Sequence, residues 1–487
     1  MTIPLFEVKD SGRIKEIKEG ILLLEGLPTC IYGQILKLVG IEAYGMVLGF
    51  DERLVSVLPF FPTAGVDLGQ EMIVDREFFR LPVGESYLGR IVSALGIPMD
   101  GKAKIKEKET LPVFYEAPGV MERQPLTDLF PTGIKILDTM IPVGKGQREL
   151  ILGDRQTGKT AIALDTIINQ KGRGVPCVYC WIGGAAANLA KVLKILTESG
   201  AIEYTAVISA DASSSMGEQY LAPYVAATLG EYFMQKGGDS LVVFDDLTKH
   251  AWMYRQISLL MGRAPGREAY PGDIFYLHSQ LVERSGRLSE KLGGGSMTFL
   301  PIMETLQGDI TGYVQSNMVS MTDGQIYLNS ELFNEGFRPA IDIGLSVSRI
   351  GGKIQPPALK EVSKGLRLGY LQYTELLRLM RLRTKMSDEA KEKMRRGEAL
   401  TTMLMQGVAK PVELVEEVML FFAFSKKVLE ILSPEGRIKF QNELMKYALE
   451  NTPELVEKIK EKCDLTPEIQ AELTSMFGDL CREKEIF

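Results

Sequence analysis

The sequence predicts a multidomain chain with an all-β N-terminal region, a central phosphate-binding α/β domain built on a mostly parallel sheet, and an α-helical C-terminal domain. Three observations carry this. Short apolar runs separated by turn residues fill the first 75 positions. A glycine-rich loop, GDRQTGKT, spans 153–160 between a strand-like and a helix-like run. Beyond residue 357 the apolar spacing turns helical. The predicted divisions are 1–75, 76–357 and 358–487.

In the first region the runs GILLL (20–24), GQILKLVG (33–40) and YGMVLG (44–49) predict a small antiparallel barrel or sandwich without helices. Strand-like and helical runs then alternate, and Ser240 to Phe244 followed by Asp245 and Asp246 is the clearest central strand. That alternation implies parallel strands covered by helices on both faces. In the last region Leu366, Tyr370, Leu371, Leu376, Leu377 and Met380 mark one helix face. The charge-rich stretch Arg381 to Arg396 includes Asp388, Glu389 and Glu392, so it reads as a solvated helix face and not a basic docking patch.

Composition narrows the function classes. The 487 residues are 45% apolar with a net charge of −7, enough for several cores and unfavourable for binding a polyanion. Nucleic acid is therefore not an expected partner. The five cysteines are few and odd in number, as expected in a reducing compartment. Cys177 and Cys180 form a C-x-x-C inside the apolar run 175–182, where both read as strand residues. The start lacks a signal pattern and no stretch reaches the length of a membrane span, so a cytosolic chain is expected.

The loop 153–160 fits G-x-x-x-x-G-K-[ST]. A strand turning through glycines into a helix start aims several backbone N–H groups and the positive helix end at one point, which suits a phosphate. Gly153, Asp154, Arg155, Gln156, Thr157, Gly158, Lys159, Thr160 and the following Ala161 form this candidate site. Lys159 adds a point charge, and Thr160 offers a hydroxyl to Mg2+. Asp245, at a strand end, is placed to hold the same ion through water, with Asp246 the weaker choice. His250 and His278 are the chain's two histidines. Neither has a paired nucleophile or metal-ligand spacing, and both read as structural.

These motifs, with LVVFDDL (241–247), GREAYPGD (266–273), TDGQ (322–325) and PAIDIGLSVS (339–348), resemble the alpha subunit of F-type ATP synthase in order along nearly the whole chain. The loop variant Asp154-Arg155-Gln156-Thr157 is similar to alpha and not to the catalytic beta subunit. The resemblance implies a six-stranded-type barrel, a RecA-like nucleotide domain binding ATP or ADP with Mg2+, and a helical domain. It also implies a ring of three alpha and three beta chains around a gamma-type central stalk, with a delta-type stator subunit, at the cytoplasmic face of the cell membrane.

Residue roles follow from the same resemblance. Beta carries a glutamate, and alpha usually a glutamine, where this chain has Gly184 in WIGG (181–184). Glycine cannot polarise a water, so nucleotide is expected to bind here without turnover. Arg349 matches the arginine that alpha extends into the neighbouring beta site, and Ser320 matches a residue facing that site. Arg338-Pro339, Gln156 and Gln406 correspond to the adenine pocket, while Val408 replaces a second glutamine. The family's stalk-anchoring helix before the barrel has no counterpart in the opening MTIPLF, so a different stator attachment is expected. Three other readings compete: a homohexameric secretion-type ATPase, which would need an acid at position 184; a ring helicase, disfavoured by the acidic charge; and an alpha-like subunit of a repurposed ring.

Overall fold

A two-residue hairpin opens the structure, a computed structural model describing residues 10–380 and 387–486. Glu19 and Gly20 both take positive φ (45° and 94°) between β1 (Ser11–Lys18) and β2 (Ile21–Gly26), the turn whose twist matches paired strands. β3 (Ile35–Leu38), β4 (Tyr44–Phe50), β5 (Val55–Pro59) and β6 (Glu71–Arg76) follow, and the six close into a barrel in the order β1-β2-β5-β4-β3-β6. Closure decides between barrel and sandwich and leaves no open edge. Alternate residues, among them Ile14, Leu22, Leu24, Leu36, Val47, Val57 and Met72, fill its interior. The opening residues invoked for stator attachment lie outside the described ones.

Next come β7 (Arg80–Pro82), β8 (Ile91–Ser93) and β9 (Thr110–Pro112), with β7 and β9 paired antiparallel. The chain continues through α1 (Lys135–Met140), β10 (Glu149–Gly153) and α2 (Lys159–Ile168). β11 (Cys177–Ile182), α3 (Ala186–Glu198), β12 (Thr205–Ala210), α4 (Met216–Gln235), β13 (Asp239–Asp245) and α5 (Leu247–Leu260) supply the alternation read from the sequence. After α6 (Ile274–Val282) come β14 (Gly286–Arg287), β15 (Ser296–Glu304), α7 (Tyr313–Met321), β16 (Gly324–Leu328), α8 (Ser330–Asn334) and β17 (Val347–Ser348). The remainder is helical: α9 (Pro357–Ser363), α10 (Leu366–Met380), α11 (Asp388–Leu404), α12 (Leu414–Ser425), α13 (Val428–Ile431), α14 (Pro434–Asn451), α15 (Pro453–Lys462) and α16 (Pro467–Glu483).

The chain divides into two compact units. The first comprises 1–124, 174–304 and 309–322, and the second 125–173, 305–308 and 323–487. In the first, β12, β11, β13 and β15 run parallel side by side with β8 parallel at β12, and they are buried along nearly their whole length, as continuous apolar runs require. Arg284 and Glu231 form a wholly buried pair here at 2.6 Å, with Thr228 and the Val113 carbonyl taking the other guanidinium protons. In the second unit β10 and β16 pair in parallel and β17 adds antiparallel to β16. Of the charge-rich stretch, positions 381–386 lie outside the described residues; from Asp388 on it is the N-terminal part of α11, with exposed pairs Lys391–Asp388 and Lys393–Glu389.

Candidate nucleotide-binding site

The phosphate loop belongs to the second unit. β10 ends at Gly153 and α2 begins at Lys159, as the motif requires. Gly158 caps the helix with φ of 101°, a conformation open to glycine. The Lys159 ammonium donates to the carbonyls of Gly153 (2.9 Å) and Asp154 (2.6 Å), and the Thr157 hydroxyl donates to Asp154 O (2.8 Å). Arg155 and Gln156 are exposed on the loop, while Thr160 and Ala161 are half-buried on the first turn of α2.

Asp154 has a part that the motif does not specify. One carboxylate oxygen accepts from the Thr305 hydroxyl (2.7 Å) and the Gly308 N–H (2.9 Å), and the other from the Ser330 hydroxyl (2.8 Å). Desolvation raises its pKa, but these donors and the Lys159 charge outweigh it and hold the acid below its usual value. Asp154 thus fixes the loop's backbone. An x position in the motif gave no signal of this.

The predicted base-pocket residues also meet in this unit. The Gln406 N–H donates to the Arg338 carbonyl at 2.8 Å, which joins the two segments. Their side chains are engaged within the protein. Gln406 donates both amide protons to the carbonyls of Gly133 (2.7 Å) and Lys410 (2.8 Å), and its Oε1 accepts from Lys135 N (3.1 Å). Arg338 stacks on Phe333, 3.7 Å from the ring centre, and donates to the Phe333 carbonyl. Pro339 is half-buried, and Val408 is exposed in the loop beyond α11. Arg349 is exposed just after β17, its backbone N–H bonded to Asp323 O at 2.9 Å.

The other predicted residues lie in the first unit. Asp245 ends β13, is buried, and accepts from the Tyr179 hydroxyl at 2.7 Å. Asp246 instead caps α5, accepting from Lys249 N (2.9 Å) and Lys249 Nζ (2.7 Å). Burial pushes the Asp246 carboxyl up to about 6, aided by the Asp245 and Glu304 charges and opposed by Lys249. Ser320 sits exposed on α7 with its hydroxyl bonded back to the Ser316 carbonyl at 2.9 Å. His250 stacks on Tyr220 and lies tilted against His278, ring centres 5.7 Å apart, in a buried aromatic group, and burial lowers both histidines, to about 4 and about 3. Cys177 and Cys180 are buried strand residues of β11. Among the described residues no group of three or more His, Cys, Asp or Glu is placed to hold a metal by itself.

Position 184 is more than an omission. A Cβ there would sit 2.1 Å from Trp181 Cζ2 and 2.5 Å from Cε2, and Trp181 is only 5% exposed. The indole therefore fills the space a side chain would enter. Lys249 lies over that ring at 5.9 Å and pairs with Asp246 at 2.7 Å and Glu304 at 4.0 Å. The bulky Trp181 two residues before a glycine pair was the available signal in the sequence.

A glycine loop cradled between a parallel strand and a helix start, with lysine and threonine at its end, defines a phosphate-loop nucleotide-binding protein. Residues 133–348 match the family described as ATP synthase alpha/beta family, nucleotide-binding domain, and residues 355–480 match ATP synthase alpha/beta chain, C terminal domain. The chain belongs to the ATP synthase alpha/beta family, and within it the chain sides with the alpha subunits of the F-type ATP synthase. An ATP synthase subunit alpha of Clostridium botulinum is 46% identical over 97% of this chain and 94% of its own length. Those of Clostridium acetobutylicum (45% over 99% and 94%) and Petrotoga mobilis (44% over 96% and 93%) are similar to the same extent.

Proposed function

We propose that this chain is the non-catalytic, ATP- or ADP-binding alpha subunit of a rotary F-type ATP synthase, which lends Arg349 in trans to catalytic sites of neighbouring beta chains. The observation that carries the reading is position 184, where a glycine stands and Trp181 fills the space a side chain would enter, so that position offers no acid to polarise a water. Lys159 and the N–H groups at the start of α2 receive the phosphates. By the likeness to alpha subunits, Thr160 is assigned a direct and Asp245 a water-mediated oxygen contact to Mg2+. Bound there, Mg2+ would neutralise phosphate charge.

Arg349, exposed and carrying a fixed planar charge, suits a partner's transferring phosphoryl group. Ser320 is assigned to the same beta site by the likeness alone. At the base end, Arg338, Pro339 and Gln156 take the adenine, and Gln406 acts through the backbone it ties down. The partners are beta subunits in an alternating ring, a gamma-type stalk and a delta-type stator subunit. The assembly works at the cytoplasmic face of the membrane and couples ATP to ion transport. These assignments rest on the likeness to alpha subunits. The division 1–75, 76–357 and 358–487 belongs to the same reading, supported by β6 ending at Arg76 and α9 starting at Pro357.

Calorimetric titration with Mg-ATP beside phosphate release on the purified chain tests the reading. Binding without turnover is expected, and Lys159→Ala should abolish binding while circular dichroism stays native. Sustained hydrolysis near the enzyme median of about 10 per second would overturn it in favour of the homohexameric reading.

A further inference from the structure

The second unit buries a carboxylate that the nucleotide site does not use. Glu417, on α12, is 0% exposed, and neither of its oxygens has a hydrogen-bond partner among the described residues. An ionised carboxylate in that position would have lost its hydration without replacement.

The charges bearing on it come from three elements: Asp138 and Lys135 on α1, Arg173 beyond α2, and Glu416 beside it on α12. Lys360 and Glu361 of the adjoining α9 are exposed. Asp138, buried as well, accepts from Thr132 N and Gly133 N (both 2.9 Å) and from the Thr132 hydroxyl (2.8 Å). Two buried acids near each other cannot both carry charge cheaply. Burial raises Asp138 to about 6 against its three donors, so it keeps its charge at neutral pH, and the orphan Glu417 takes the proton.

The cluster is tied to a functional loop. Lys135 is wholly buried, donates its ammonium to the Met405 carbonyl at 2.9 Å, and donates its backbone N–H to Gln406 Oε1. Ala409 N in the same loop bonds to Asp165 of α2 at 2.7 Å. Arg173 also lines an adjacent cavity of about 300 Å³ with Leu359, Val415, Val418 and Lys460, so the cluster has room for water at its edge.

We propose that Glu417 is a buried proton-binding site that latches the 405–410 loop: neutral, it leaves the Lys135 ammonium on the Met405 carbonyl, and ionised, it draws that ammonium away and frees the loop. Desolvation, reinforced by Asp138, keeps the carboxyl well above its ordinary value. A raised folded value makes the stabilisation complete below the unfolded value, about 4.3, and lost as pH rises through the folded one.

The test is Glu417→Gln, the neutral isostere, in the full chain. Difference infrared spectra at neutral pH should show a protonated-carboxyl band in the wild type that the variant lacks. Amide hydrogen exchange at Gln406 and Ala409, compared at each pH so that intrinsic rates cancel, should match in acid. In the wild type it should then become faster by up to tenfold per pH unit until the folded value is passed. Glu417→Met, also unable to ionise, should track Glu417→Gln at every pH. No lost carboxyl band, or a ratio that stays constant with pH, would overturn the proposal. Neither measurement involves nucleotide, so failure here is distinct from failure of the functional reading.

Discussion

Replacing Gly184 by alanine, or by the glutamine that alpha chains usually carry, drives a carbon into the Trp181 ring. The contact of 2.1 Å has to open to at least 3.4 Å, the start of ordinary van der Waals contact. The indole cannot slide along its strand, because β11 is pinned in parallel register between β12 and β13. It cannot swing outward without exposing a side chain now 5% exposed. The backbone at 184 takes no positive φ, so the whole cost is overpacking, about 2–3 kcal/mol at the upper end of such substitutions. For a folding unit of this size that is a fall of roughly 5–10 °C in melting temperature. Urea unfolding followed by circular dichroism should show Gly184→Ala destabilised by that amount. Adding Trp181→Leu should recover part of it, with a favourable coupling of about 1–3 kcal/mol. A wild-type midpoint for Gly184→Ala, or strict additivity in the double mutant, would refute the reasoning. By the same argument Gly184→Glu does not create a hydrolase, since its carboxylate has no room to reach a water.

Asp154→Asn should loosen the phosphate loop by on the order of 2 kcal/mol, because three donors lose a charged acceptor. Since the folded pKa lies below the ordinary aspartate value of 3.8, the wild-type advantage should hold above that value and fade as pH falls below it, read as converging urea midpoints. Arg284→Met should cost about 3–5 kcal/mol by stranding Glu231, whereas pairing it with Glu231→Leu should restore most of the loss in chemical denaturation. Arg349→Ala should lower ATP hydrolysis by a reconstituted alpha and beta ring by about 10³ to 10⁵. Arg349→Lys should not rescue it, and titration of the isolated chain should show unchanged binding.

The parts of the fold that repeat a local pattern were legible in the sequence. The runs of β2, β3 and β4 and the 153–160 loop carry their periodicity and turn chemistry in adjacent residues, so strand, loop and helix could be placed. Barrel closure was not legible, because it depends on β1 meeting β6 some 60 positions away, as in Ser11 opposite Ile73. The site divides in the same way. The positions of Lys159, where α2 begins, and Asp245, where β13 ends, could be read from their neighbours. The anchoring of Asp154 by Thr305 and Ser330, the filling of position 184 by Trp181 and the burial of Glu417 are tertiary facts. Gln406 shows the opposite case: its type matched a family role, yet its amide protons serve the backbone.

That engagement of Gln406 also has a bearing on biogenesis. Its bonds to Gly133 and Lys135 span 273 and 271 residues, so the segment opening α1 lacks these tethers until the chain beyond residue 410 has left the ribosome. At about 5–20 residues per second, that is a wait of roughly 15–55 s after Lys135 has been made. Once Thr305 and Ser330 have emerged to anchor Asp154, the phosphate loop can fold on β10 and α2 while Lys135 and Gly133 still wait for Gln406. A ribosome stalled before residue 400 should therefore display a phosphate cradle that protease attacks at 130–140, and release of full-length chain should close it.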